Sequence, residues 1–146
     1  MSIYISGALK GSKDIDRARA KYESIASVLR HRGMVPYVPH KTTDPEFNRD
    51  ATPETVFALD LAAIHRSKAA VLILDEPSLG VGLEIGLFAS RDIPLLILCE
   101  QNCDLSRFAA GFLAANNHEV IRYTDDLEDV IDSWATRMLQ GLRLSA

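Results

Sequence analysis

The chain has 146 residues, of which 47% are hydrophobic and 25% charged, and its formal net charge is −4. This length and balance suit one soluble domain, residues 1–146, with one hydrophobic core. The acidic charge without a basic run argues against a nucleic-acid polymer as partner. Residues 2–5 enter a strand directly rather than a signal sequence, and no apolar run nears the roughly 20 residues that span a bilayer. We therefore expect a cytoplasmic protein with no membrane partner.

Apolar periodicity alternates between strand and helix types along the chain. In chain order it predicts a strand at 2–6, a helix at 13–32 ended by Gly33, a short strand at 34–38, a loop at 39–53, a helix from Pro53 to Arg66, a strand at 69–74, a helix at 82–91, a strand at 94–99, a helix at 105–115, a strand at 119–123 and a helix opening at 125–126. The prolines at 36 and 39 suit an edge strand. The pattern predicts an α/β fold, a flavodoxin-like or Rossmann-like three-layer sandwich with a five-stranded parallel sheet.

The segment from Asp75 to Gly86, DEPSLGVGLEIG, follows a predicted buried strand, and ligands of such sheets bind beyond the carboxyl ends of strands. Gly80 and Gly82 allow tight turns and close ligand approach, while Ser78 and the amides of a helix start suit an anion. Glu84 is predicted in the first helical turn. The segment matches neither a dinucleotide fingerprint nor a phosphate-binding loop. An ordinary Glu stabilised by the helix dipole has the same spacing.

Two other segments offer groups to the same crevice. The first strand runs through Tyr4 into the loop GALKGS, in which Gly7 and Lys10 are candidates for a pocket wall beside an anion. A plain strand-to-helix turn has a similar composition. Asp60 lies between two leucines on a predicted helix. An Asp on a helix is usually solvated, but one that faces the crevice can hold or protonate a leaving base.

The cysteines and histidines give no metal-ligand pattern. Cys99 and Cys103 have CxxxC spacing without a second pair to complete a tetrahedral zinc site, and the four histidines are scattered. We predict no metal and no organic cofactor, with the cysteines as buried or partly buried thiols in a reducing compartment.

Several segments together resemble one family. PSLGVGLEIG at 77–86 is similar to the nucleophile motif of 2'-deoxynucleoside 5'-phosphate N-hydrolases, members of the nucleoside 2-deoxyribosyltransferase superfamily. IYISG at 3–7 is similar to the first strand and loop of the family, and Asp60-Leu61 shortly before SKAAVL to its Asp before the central strand. Leu105-Ser106, with Gly111 five residues on, is similar to a later phosphate-contact segment. The resemblance covers roughly residues 2–135 and is most specific at 77–86.

The resemblance implies cleavage of an N-glycosidic bond by two carboxylates. Glu84 would attack the anomeric carbon and form a glycosyl-enzyme intermediate, and Asp60 would be the catalytic acid or orient the base. Tyr4 would position the sugar or Glu84. Such chemistry builds oxocarbenium character on the sugar, which a carboxylate stabilises without a metal or cofactor.

The resemblance also implies a nucleoside 5'-monophosphate substrate and a homodimer. Ser78 and the amides around Gly80 and Gly82 would bind the 5'-phosphate, and Ser106 would reach the phosphate in the site of a neighbouring subunit. His40 lies where the family carries a pocket histidine.

The first loop departs from the family pattern, which is usually GSIRGG. Here Ala8 lacks the hydroxyl and Lys10 replaces the arginine. Lysine holds a phosphate as a point charge and lacks the bidentate fork of arginine. We expect this loop to affect phosphate affinity and the choice between ribose and deoxyribose.

Three functions remain open at the level of sequence. An N-glycosidase that releases free base and (deoxy)ribose 5-phosphate fits best, because Ser78 and Ser106 match phosphate contacts. A nucleoside 2-deoxyribosyltransferase, which passes the sugar to another base, more often has an Asn or another group at the position of Ser106. A nucleotide-binding sensor module without turnover is the third, since a fold does not fix a function.

Overall fold

The computed structural model describes residues 1–9 and 12–144, with side chains described as far as Gly141. The strands in this part of the chain are Ser2–Ser6 (β1), Val35–Tyr37 (β2), Ala69–Ile73 (β3), Leu95–Glu100 (β4) and Val120–Tyr123 (β5). The α-helices are Ile15–His31 (α1), Pro53–Arg66 (α2), Leu79–Ala89 (α3), Arg107–Ala115 (α4) and Leu127–Leu144 (α5), and Pro39–Lys41 form a 3-10 turn. The five strands pair in parallel in the order β2-β1-β3-β4-β5. The predicted α/β sandwich with a five-stranded parallel sheet is confirmed.

Short polar residues set where four of the helices begin. Each accepts a hydrogen bond from a backbone amide in the first turn, which satisfies a donor that has no partner inside the helix. The capping residues are Asp14 for α1, Thr52 for α2, Ser78 for α3 and Ser106 for α4. At the other end of α1, Gly33 adopts a φ of 74°, a left-handed conformation that glycine tolerates, and so ends the helix as predicted.

The two faces of the sheet carry separate hydrophobic cores, because successive side chains of a strand point to opposite sides. Ile3 and Ile5 of β1 pack with α1 and α5, while Tyr4 packs with α2, α3 and α4. Ser6 follows in the same alternation and is fully buried. The first strand therefore presents two polar-tipped side chains to the face that carries α3.

The order of the strands creates a crevice between β1 and β3. The chain leaves β1 toward β2 on one side of the sheet and leaves β3 toward β4 on the other, which makes this pair the topological switch point. β2 lies at the edge of the sheet, as its prolines predicted. Of the helices in the described ranges, none is both long and apolar enough to cross a membrane.

Helix α3 begins earlier than the sequence predicted. Its first residue is Leu79 rather than position 82, because Ser78 supplies the cap. Gly80 and Gly82 therefore lie inside the helix, and the predicted tight turns at these glycines are wrong. Glu84 consequently lies in the second turn of the helix rather than in the first.

The prediction that Cys99 and Cys103 are separate thiols is also wrong. The structure joins them in a disulfide, with their Cα atoms 6.2 Å apart. The predicted burial holds, since Cys99 is fully buried and Cys103 is partly buried. The bridge ties the end of β4 to the loop that leads to α4.

Candidate active site

A carboxylate held by two hydroxyl groups lies at the switch point. The Tyr4 hydroxyl donates to Oε1 of Glu84 at 2.7 Å, and the Ser6 hydroxyl donates to Oε2. Tyr4 and Ser6 reach the same side chain because they are two residues apart on one strand and share a face. The second turn of α3 brings Glu84 over that face. Sequence reasoning singled out Glu84 and Tyr4 and missed Ser6, although its position two residues after Tyr4 was a signal for it.

The second carboxylate, Asp60, faces the crevice rather than solvent. It is half-buried on α2 and accepts hydrogen bonds from the Tyr37 hydroxyl at 2.8 Å and from the Thr43 hydroxyl at 3.3 Å. The ring of Tyr37 stacks on the ring of Tyr4, with centroids 5.3 Å apart and an interplanar angle of 25°. The two stacked tyrosines thus bind the two carboxylates: the Tyr4 hydroxyl donates to Glu84, and the Tyr37 hydroxyl donates to Asp60. Tyr37 and Thr43 were not found from the sequence.

Burial shapes the ionisation of both carboxylates. Burial raises the pKa of Glu84; the Ser6 and Tyr4 hydroxyls oppose that rise, and the negative charge of Asp60 adds to it. Burial likewise raises the pKa of Asp60 against the opposing hydrogen bonds from Tyr37 and Thr43. Two neighbouring carboxyls with raised pKa values are typical of sites that use one group as a base or nucleophile and the other as an acid.

The two phenols beside these carboxylates stay protonated and act as donors. Burial and the charges of Glu84 and Asp60 raise the pKa of Tyr4 far above its usual range. Burial is also the main cause that raises the pKa of Tyr37 to about 12. Both hydroxyls are therefore protonated and able to donate at neutral pH.

An ion pair anchors the loop that delivers Thr43. Asp44 is fully buried and accepts from Nε and Nη2 of Arg19, each at 2.8 Å, and from the backbone amides of Glu46 and Phe47. Bidentate pairing of this kind fixes both partners in direction as well as distance. The sequence predicted an irregular loop at 39–53, and only the fold shows that α1 supplies its anchor.

The start of α3, which was predicted to bind an anion, carries the Ser78 hydroxyl and two glycines. The Ser78 hydroxyl accepts from the Val81 amide at 3.4 Å, which leaves its own proton free to be donated. The Gly82 amide donates to the Ser78 carbonyl at 3.0 Å and is therefore occupied within the helix. A Cβ built on Gly82 would meet nothing within 4 Å, and one on Gly80 only the Ser78 hydroxyl oxygen at 3.8 Å. What the two glycines contribute is open space.

The first loop shows why position 7 is a glycine. A Cβ on Gly7 would lie 2.3 Å from the ring of Tyr22, whose hydroxyl donates to the Ala8 carbonyl at 2.8 Å. Close packing of α1 against the end of β1 therefore requires glycine here. Lys10, predicted to lie near an anion, is outside the described residues.

Two other predicted site residues have hydrogen-bond partners on α1 and α4. His40 directs Nε2 to Glu23 on α1 at 2.9 Å, and its ring centroid lies 6.3 Å from that of Tyr22. The predicted role of His40 in the pocket stays a prediction. Ser106 is exposed and caps α4 by accepting from the Ala109 amide at 3.5 Å.

A cavity of about 620 Å³ opens at the same edge of the sheet, on the face that carries α1. Its wall includes Lys21, whose ammonium group lies 2.6 Å from Asp75 and 2.7 Å from Glu100 and donates to the Tyr123 hydroxyl at 2.9 Å. Arg17 lies 3.4 Å from Glu100 as a second cation, so each of the two carboxylates has a positively charged partner. Across the ranges that the structure describes, no group of three or more His, Cys, Asp or Glu side chains is placed to hold a metal ion.

Comparison with known proteins finds relatives that are named as nucleotide N-hydrolases. A 5-hydroxymethyl-dUMP N-hydrolase of Mus musculus is 27% identical over 130 residues, which cover 86% of this chain and 73% of that protein. A protein of Thermofilum pendens, named by inference as 2'-deoxynucleoside 5'-phosphate N-hydrolase 1, is 27% identical over 128 residues, 86% of this chain and 87% of that one.

Solved structures and a family model extend the comparison. The CMP N-glycosidase of Clostridium botulinum superposes with a TM-score of 0.64 at 18% identity and covers 100% of both chains, a likeness that shows the shared fold. The family model described as Nucleoside 2-deoxyribosyltransferase matches residues 3–140. The chain therefore belongs to the nucleoside 2-deoxyribosyltransferase family.

Proposed function

We propose that this protein is an N-glycosidase that hydrolyses nucleoside 5'-monophosphates to free base and (deoxy)ribose 5-phosphate. The observation that carries the proposal is the pair Glu84 and Asp60 at the switch point, both held by hydroxyl donors. Membership of the family and the similarity to proteins named as nucleotide N-hydrolases support the same chemistry.

In the first step, an oxygen of ionised Glu84 attacks the anomeric carbon of the sugar. A carbon–oxygen bond forms as the glycosidic carbon–nitrogen bond breaks, and the electron pair of that bond leaves with the base. Protonated Asp60 donates its proton to the departing base. The two carboxyls titrate as a pair with raised pKa values, and the reactive state of the pair is the one in which Asp60 holds the proton and Glu84 is ionised.

In the second step, water replaces the enzyme on the sugar. Asp60, now ionised, takes a proton from water as the water oxygen bonds to the anomeric carbon. The bond to Glu84 breaks, and its electron pair restores the Glu84 carboxylate. The sum is one nucleotide and one water converted to base and sugar phosphate, with both carboxyls returned to their starting states.

The start of α3 would hold the 5'-phosphate. The Ser78 hydroxyl has a proton to donate while it caps the helix, and the helix dipole favours an anion at this end. The open space around Gly80 and Gly82 lets a phosphate approach the backbone. Binding the phosphate here uses a remote part of the substrate to position the sugar over Glu84, which lies one turn further along the helix.

The exposed apolar side chains support a homodimer. Leu79, Leu83 and Leu87 of α3 recur every four residues and are 84%, 65% and 37% exposed, and Phe108 of α4 is 87% exposed. Monomeric proteins seldom leave such a stripe in water. We propose that a second copy of the chain covers it and that the exposed Ser106 then completes the phosphate site of its partner.

The reaction is tested by incubating the protein with ribo- and deoxyribonucleoside 5'-monophosphates and the matching nucleosides, and measuring free base by chromatography. We expect base release from monophosphates alone, lost in Glu84→Ala. Exchange of bases between nucleosides, without net hydrolysis, would instead identify a transferase. Nucleotide binding without any release, unchanged in Glu84→Ala, would identify a sensor module.

The shared site is tested by complementation. Glu84→Gln and Ser106→Ala variants, each weakly active alone, are mixed and allowed to exchange subunits. In a mixed dimer one site combines the intact Glu84 of one chain with the intact Ser106 of the other, so activity should rise well above the sum of the two variants. Light scattering should give the mass of a dimer. A monomer, or no gain on mixing, contradicts the shared site.

A further inference from the structure

Ser6 is the last residue of β1 and its side chain is fully buried. Its hydroxyl donates to Oε2 of Glu84, while the hydroxyl of Tyr4 donates to Oε1 at 2.7 Å. Ser6 pairs with Leu72 in the register of β1 and β3, so the group sits on two central strands of the sheet. The hydroxyl is therefore carried by an internal strand of the sheet, which pairs with β2 on one side and with β3 on the other.

Two donors constrain a carboxylate more than one does. With Tyr4 alone, the Glu84 carboxylate could turn about its last side-chain bond and still keep the hydrogen bond to one oxygen. A second donor on the other oxygen fixes the plane of the group. A reacting oxygen that is misplaced by about 1 Å can cost roughly 100-fold in rate, so this orientation has a direct kinetic value.

The surroundings of Glu84 otherwise favour its neutral form. Burial and the carboxylate of Asp60, which faces Glu84 from α2, raise its pKa, whereas the phenol of Tyr4 on β1 donates to the charged form and lowers it. A hydroxyl that donates to the charged form works against burial and against the negative charge of Asp60. Ser6 therefore acts on the charge of Glu84 as well as on its direction.

We propose that Ser6 is a positioning residue for the reaction: it holds one oxygen of Glu84 while Tyr4 holds the other, so that the carboxylate faces the sugar ready to attack. The orientation of Glu84 toward the sugar rests on the proposed function, whereas the hydrogen bond from Ser6 to Glu84 does not. Ser6 acts through Glu84 and forms no bond to substrate in either step.

The test compares Ser6→Ala with Ser67→Ala, a matched control. Ser67 is also a fully buried serine, but its hydroxyl donates to the Ala63 carbonyl at the end of α2. In each variant the Glu84 carboxyl is titrated by carbon-13 NMR of labelled glutamate, with its signal assigned from Glu84→Gln. The pH dependence of kcat/KM for the best monophosphate substrate is measured on the same proteins.

We expect Ser6→Ala to raise the pKa of Glu84 by about one unit, a tenfold change in proton affinity, and to move the acid limb of kcat/KM upward by the same amount. Ser67→Ala should leave both unchanged. Ser6→Cys, with a weak thiol donor, should give a smaller shift in the same direction, and it carries the test if Ser6→Ala does not fold.

Two results overturn the role of Ser6: a Glu84 titration in the Ser6 variants that matches wild type, or an equal shift in Ser67→Ala. The proposed function fails separately, if wild type releases no base from any nucleotide. The NMR titration still decides on Ser6 in that case, because it needs no substrate.

Discussion

Two groups of carboxylates lie at the same edge of the sheet, on opposite faces, and their partners differ. Glu84 and Asp60 are held by hydroxyls, and both have raised pKa values. On the α1 face, Asp75 and Glu100 are paired with the ammonium group of Lys21. Removing the cation from such a pair leaves an uncompensated buried charge, so the pairing has a structural role. Carboxylates held by neutral donors keep both their charge and their reactivity, which is why we assign the chemistry to the α3 face.

The largest expected effect is on catalysis at the α3 face. Glu84→Gln keeps the size of the side chain but removes the nucleophile, so kcat should fall by roughly 10³-fold or more. Glu100→Gln makes the same chemical change on the other face and should leave kcat close to wild type. Base release under saturating substrate measures both. Similar losses in the two variants would remove the distinction between the faces.

The next effect is on stability at the α1 face. Lys21→Met leaves the mostly buried Asp75 without its cation, and we expect the free energy of unfolding to fall by about 3 kcal/mol. Urea unfolding measures the change. Lys68→Met, at an exposed position, is the control and should change stability by less than about 0.5 kcal/mol. Equal stabilities of the two variants would show that the Lys21 cluster does not support the fold.

Asp60→Asn tests two separate effects of Asp60 on the α3 face, as an acid and as a negative charge beside Glu84. Loss of the acid should lower kcat by about 100-fold. Loss of its negative charge should also lower the pKa of Glu84, so the acid limb of kcat/KM should move to lower pH. The exposed Asp50→Asn variant serves as control. If the acidic side of the kcat/KM pH profile is the same in Asp60→Asn as in wild type, Asp60 does not act on the charge of Glu84.

The smallest effect is a gain in stability from losing the nucleophile. The folded state raises the pKa of Glu84 above its unfolded value of about 4.3, so ionised Glu84 opposes folding as pH rises above that value. At pH 7.5 Glu84→Gln should therefore be slightly more stable than wild type. At pH 4 the Glu84 carboxyl is largely neutral in both the folded and the unfolded state of wild type. The difference in stability between wild type and Glu84→Gln should therefore shrink. Urea midpoints that differ equally at both pH values would contradict the assignment.

The sequence by itself determined the class of fold and the motif at 77–86 that contains Glu84. Apolar runs of strand length alternating with helical periodicity admit few arrangements other than a parallel sheet between helices, and the five strands appear where predicted. The motif at 77–86 and the resemblance it carries were also local, which is why Glu84 and Ser78 could be singled out. Local patterns located the start of α3 less well, because Ser78 caps the helix before the glycines rather than after them.

Only the tertiary structure decided which polar groups meet. Ser6 and Glu84 are 78 positions apart, and Tyr37 and Asp60 are 23 apart, so no periodicity links them. The partner of His40 on α1 was equally hidden. The physical reason is that strand order brings distant segments to one crevice, while a sequence pattern records only which face of its own element a residue occupies.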